Sequence, residues 1–241
     1  MKTKKPKYFN FPIQLLTGFM NNHKEVLENI MSYSIYEQSL KFEQFGTFEN
    51  PNLEFEIFKN CAEEFYGIKL NDDYYYLANL HCKGSKAHNQ TPENPPKVGL
   101  ELSVFWEFCN NEKKDFDKIC LLAFLSIKSI LGKKQYCKVT NNYWLSRMNG
   151  NAKAIGKNEL SPEIEKYSTR HYLQKIKYEL SSKWGLVHYA QHTTGFYVSY
   201  KLELQPLMTI VESNKRAYKE KLYKEKEKEI LKEVLRILDL N

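Results

Sequence analysis

Histidine, cysteine and paired carboxylates are the side chains from which a metal centre or an acid–base pair is built, and this chain offers several groupings of them. His81, Cys82 and His88 lie close together in sequence, but in none of the common zinc-ligand spacings. His188 and His192 have an even separation that would put both on one face of a strand; strand residues are the simpler reading than ligands. The pairs Glu54 and Glu56, Glu63 and Glu64, and Asp72 and Asp73 are the type that could feed a metal-dependent nuclease, although acidic pairs on solvated faces are ordinary. The sequence contains neither GxxxxGK[ST] nor GxGxxG, so nucleotide hydrolysis has no support. The expectation is a protein that is not an enzyme, with no catalytic residue, no metal, no cofactor and no small-molecule substrate.

The more informative chemistry is cationic. The net charge is +7, and its distribution is uneven. Residues 1–132 sum to −2, whereas residues 133–201 carry 12 Lys or Arg against four Glu, or +8. A local excess of this kind sets up a positive field that draws a polyanion, nucleic acid being the commonest. Within it lies "STRHYLQKIKYELSSKWGLV", residues 168–187. On a helical wheel Leu173, Ile176 and Leu180 fall within about 60° of one another and form a packing stripe. The opposite side gathers His171, Gln174, Lys175 and Tyr178, flanked by Arg170 and Lys177. Ser168 is placed to cap the first turn. Trp184 and Gly185 end the helix abruptly before "LVHYAQHTTGFYVSYKL", two β-rich runs around a turn at His192, Thr193 and Thr194, with Gly195 supplying a positive φ.

The elements that would position this helix follow from periodicity and punctuation. Residues 22–42 read as an amphipathic helix, "NLEFEIFKNCAEEFYGI" and "DDYYYLANLHC" as aromatic-packed helices, and 113–131 as a strong helix stopped by Gly132. From Gly84 to Lys97 three prolines and little apolar sequence predict a loop or linker. "YCKVT" suits a short strand. "TNNYWLSRMNG" suits a helix capped by Thr140 or Asn141, with Trp144, Leu145 and Met148 inward and Gly150 as the stop. The connection from Gly150 to Tyr167 is long and polar, with an extra turn expected at "SPEIEK", capped by Ser161 and begun by Pro162. The chain ends in a helix that is charged at first and apolar later (Ile230, Leu231, Val234, Leu235, Ile237, Leu238), expected to pack on the N-terminal region or on a second copy. Five widely spaced cysteines without a CxxC pair read as reduced thiols, and neither a signal peptide nor a membrane-length apolar run is present. The reading is a soluble, cytoplasmic protein.

From residue 113 the order of helix, short strand, helix, connection, helix and two strands resembles a winged helix, a variant of the helix-turn-helix DNA-binding class. The resemblance covers roughly residues 113–203. Its strongest local match is the 168–187 stretch, similar to the family's recognition helix leading into the wing. With the elements read above, the expected architecture is mainly α with small β: an N-terminal aromatic-rich helical domain (1–98), a winged-helix domain (99–211) with a β-hairpin wing, and a C-terminal helix (212–241). The resemblance implies binding of double-stranded DNA through Ser168, Arg170, His171, Gln174, Lys175, Lys177 and Tyr178, with His192, Thr193 and Thr194 at the wing tip. The long 150–167 connection departs from the tight turn usual in the motif. The length and basic character resemble plasmid or phage replication initiators; a transcriptional regulator of a mobile element is the near equal, and a homodimer would double the DNA contact. The alternative is a non-catalytic protein-interaction or dimerisation module that uses the same scaffold.

Overall fold

A computed structural model describes residues 7–43, 51–192 and 195–238. The protein is mainly α-helical with two small antiparallel sheets. Strand β1 (Tyr8–Pro12) pairs with β2 (Lys97–Glu101), Tyr8 opposite Glu101 and Pro12 opposite Lys97. Between them lie α1 (His23–Glu43), α2 (Pro51–Cys61) with a π turn over Ala62–Tyr66, and α3 (Tyr74–Asn89). Asp73 caps α3 by accepting from the Tyr76 amide, 2.7 Å. The loop expected from Gly84 therefore starts later, because Leu80, Gly84 and Ala87 form a buried seam that keeps α3 helical to Asn89. A Cβ at Gly84 would lie 2.5 Å from the Ser32 carbonyl oxygen, so the missing side chain sets how closely α1 and α3 approach.

The break placed after residue 98 falls inside β2, whose Val98 and Leu100 join one continuous core with Phe9 and Phe11 of β1. Helix α4 (Leu102–Asn110) follows β2 directly and buries Phe105 and Phe108. The N-terminal elements thus share their core with α5 (Asp115–Leu131), which contributes Ile119, Leu122 and Leu125.

Around α5 stand β3 (Cys137–Val139), α6 (Asn141–Met148), a 3₁₀ turn (Lys157–Glu159), α7 (Pro162–Glu165), α8 (Arg170–Lys183), β4 (Val187–His192) and β5 (Gly195–Ser199). The strands form one sheet in the order β3-β5-β4, with Val139 opposite Phe196 and Tyr189 opposite Tyr197. Trp144 is the central side chain: its indole N–H donates to the Ala123 carbonyl at 3.1 Å, and its ring meets Phe196 edge-on at 5.4 Å. Thr140 caps α6 by accepting from the Tyr143 amide, 3.2 Å. Pro162 does begin α7, but Ser161 makes no side-chain capping bond.

Helix α9 (Leu204–Leu238) buries Leu207 and Val211 against the rest of the protein. Farther along, Ile230 and Leu231 are 64% and 55% exposed, so at these residues the helix does not pack on the N-terminal region. Among the described residues no helix is long and apolar enough to cross a membrane.

Candidate nucleic-acid interface

Helix α8 has the two faces its periodicity predicts. Leu173, Ile176 and Leu180 are buried, while Arg170, His171, Gln174, Lys175 and Tyr178 are exposed. The N-cap is Thr169 rather than Ser168: the Thr169 hydroxyl accepts from the Tyr172 amide at 3.4 Å, and Ser168 is half-buried one position outside the helix. Two hydroxyl residues in succession offer the same capping chemistry, and the register of the buried stripe selects the second. Lys166 fixes the approach to the helix through an ion pair with Asp115 at 2.9 Å, which holds the Asp115 carboxyl below its ordinary pKa. Lys175 is held over the Phe116 ring, its ammonium 4.6 Å from the centroid, so that its stem is ordered while its charge faces outward.

Lys177 departs from the expected reading face. It lies about 40° from Leu173 on the wheel, close enough to the packing stripe for its stem to turn inward. Its ammonium sits 3.6 Å from the Phe196 ring centroid and donates to Asn141 Oδ1 at 3.3 Å. Burial pushes its pKa down to about 8. Lys177 therefore fastens α8 to α6 and β5. A lysine with a depressed folded pKa lowers stability fully while both states are protonated, below about pH 8. As the pH rises from there toward the unfolded value, the unfolded chain binds more protons and stability increases. The substitution Lys177→Met is thus expected to stabilise the protein at pH 7 by roughly 1–2 kcal/mol, discounted because the ammonium keeps partial solvent access and the ring face returns some of the lost hydration. Urea unfolding at about pH 7 and pH 10 checks this, since the gap between variant and wild type should close at the higher pH.

The rest of the basic excess divides in the same way. Arg147 is buried, its guanidinium donating to the Tyr143 hydroxyl, and Lys183 pairs with Glu179 at 2.5 Å. Lys133, Lys134, Lys138, Lys153, Lys157, Arg170, Lys175 and Lys201 remain exposed and outside any ion pair among the described residues. These are the charges free to meet a polyanion.

Thr193 and Thr194 lie outside the described residues, and His192 is described only by its place on β4 opposite Gly195. The strand register shifts between Tyr189 and His192, so the even spacing of His188 and His192 does not fix a common face. His188 places Nδ1 3.1 Å from the Ser181 hydroxyl of α8, and burial, reinforced by Lys177, lowers its pKa. The outer side of the sheet carries contacts that the sequence did not reveal: Tyr189 donates to Glu212 at 3.1 Å and Asn214 donates to the Tyr136 hydroxyl at 2.7 Å, which seats the start of α9 there.

The other groupings make local contacts. His81 is ringed by Tyr36, Phe55 and Phe58 at 5.1–5.5 Å, and burial lowers its pKa. His88 packs beside Tyr33 and Tyr36, whereas Cys82 is exposed. Asp72 pairs with Lys59, and Glu63 lies 3.8 Å from Lys69. Among the described residues no group of three or more His, Cys, Asp or Glu is placed to hold a metal ion. Comparison of the chain with protein-family models, with curated proteins and with solved structures returns no match.

Proposed function

We propose that this protein binds double-stranded DNA as a winged helix, with α8 in the major groove and the β4–β5 hairpin beside it. The carrying observation is the division of α8. Its apolar stripe is anchored while Arg170, His171, Gln174 and Lys175 stand exposed, inside the segment that holds the positive excess. A groove-reading helix needs both faces, one fixed to its own domain and one offering donors to phosphates and base edges. The order α5, β3, α6, α8, β4, β5 and the sheet order β3-β5-β4 support the reading. The role we assign is that of a replication initiator or transcriptional regulator of a mobile element, acting in the cytoplasm. We include a homodimer in the proposal, supported by the exposed Ile230 and Leu231 on α9.

Photo-crosslinking of the full chain to a random duplex, followed by peptide mapping, tests the reading. Crosslinks are expected within residues 168–182 and the hairpin. Crosslinks confined to the N-terminal helices would sink it.

A second reading, a protein-interaction module, is favoured by Tyr74 and Tyr75, which are 55% and 82% exposed at the start of α3. Salt separates the two. Phosphate-based binding weakens with a slope of about −0.9 in log K against log salt per phosphate contacted, whereas docking through aromatic surfaces responds little.

A further inference from the structure

The long segment between α6 and α8 is laid along α6 by specific bonds. Asn151 donates its amide to the Ser146 carbonyl at 2.9 Å, Ile155 donates to the Ser146 hydroxyl at 3.0 Å, and Asn142 Nδ2 donates to the Ile155 carbonyl at 3.0 Å. Its far end is held by the Ser161 amide donating to Asn149 Oδ1 at 3.1 Å. Ile155 packs against the core from partial burial. A segment tied down at this many points is a built surface rather than a loose connection.

Its place in the fold gives it a partner. The first turn of α6 lies between this segment, held through Asn142, and α8, held through the Lys177–Asn141 bond. That turn also presents the Asn141 and Asn142 amides of a helix N-terminus, the Tyr143 amide being taken by Thr140, and such amides favour a nearby anion. The segment's exposed residues include Ala152, Lys153, Ala154 and Lys157, and neither lysine is in an ion pair among the described residues. The nearest carboxylate in sequence, Glu159, is turned onto its own backbone, accepting from the Gly156 amide at 2.9 Å. Small residues alternating with lysines give a low edge that a sugar–phosphate backbone can approach closely.

We infer that residues 151–158 form a second phosphate-contacting element, in which Lys153 and Lys157 grip the DNA backbone flanking the groove occupied by α8. The inference rests on the DNA-binding reading above. Each lysine neutralises about one phosphate and adds that much to the salt dependence. The segment thereby lengthens the footprint on the α6 side of the recognition helix.

The test is the salt dependence of binding of the full chain to a random duplex, for wild type, Lys153→Gln/Lys157→Gln and the control Lys69→Gln/Lys86→Gln, whose exposed lysines lie in the N-terminal half. The expected result is a slope shallower by about 1.8 in the first variant, from two phosphates at roughly 0.9 each, with no change in the control. Wild-type binding with an unaltered slope in the first variant would overturn this inference alone. An equal loss in the control would overturn it too, by assigning the effect to overall charge. No binding by wild type would overturn the DNA reading and this inference with it.

Discussion

Arg170→Ala with Lys175→Ala is expected to weaken duplex binding by about 2–4 kcal/mol, roughly 30-fold to 1,000-fold, while leaving the fold intact. Both side chains are exposed on α8, and neither is in an ion pair among the described residues. Their truncation removes no buried contact from the core. Lys175 gives up its position over the half-buried Phe116 ring, but an exposed lysine over a ring contributes only about 0.5–1 kcal/mol, well inside what a folded domain tolerates. The two positions should also differ in kind. A residue that reads a base relaxes sequence preference when removed, whereas one that contacts phosphate weakens all sequences alike and flattens the salt slope. Anisotropy titrations over a salt series measure both quantities. Unchanged affinity in the double variant would remove α8 as the interface.

Ile176→Ala acts on the other face. Ile176 is fully buried, between Leu173 at 4% exposure and Leu180 at 0%, so its truncation leaves a cavity that the surrounding helices close only in part. The expected cost is about 2–5 kcal/mol, read from the shift in the urea midpoint at constant slope. DNA binding through α8 should persist wherever the variant remains folded, because the exposed face of the helix is untouched. A stability change within about 0.5 kcal/mol, the range of ordinary surface substitutions, would contradict the placement of the stripe.

The parts of the site that the sequence disclosed are those governed by short-range rules. Leu173, Ile176 and Leu180 recur at helical spacing, Thr140 precedes an apolar turn, and Gly185 follows the last turn of α8 with φ +68°. Each is a statement about a few neighbouring residues. The direction of Lys177 is not legible from helical spacing, because it depends on Phe196, a strand residue distant in sequence. Ser168 was misread because Thr169 competes for the same capping role. The anchoring of residues 151–161 is not legible in the sequence, because Asn142, Ser146 and Asn149 bond backbone groups that have no sequence signature. The pairing of β1 with β2 brackets three helices, and no local pattern announces a contact of that range. The prolines after Gln90 argued for a linker, yet they lead into a strand that joins the two halves in one core.

The division of the basic residues into exposed and packed has the same origin. Charge counting located the excess between 133 and 201, but only packing separates Arg147, Lys166, Lys177 and Lys183, which are buried or paired, from Arg170 and Lys175. The cations left exposed and unpaired are fewer than the 12 of the formal count.

The measurement that tests the central claim most directly is fluorescence anisotropy of the full chain with a random double-stranded DNA at about 50 and 200 mM salt. The account predicts tight binding at the lower salt and, for about six phosphate contacts, a loss of roughly a thousandfold at the higher. Absence of binding at both concentrations would contradict it, and the exposed face of α8 would then have to be explained by a protein partner.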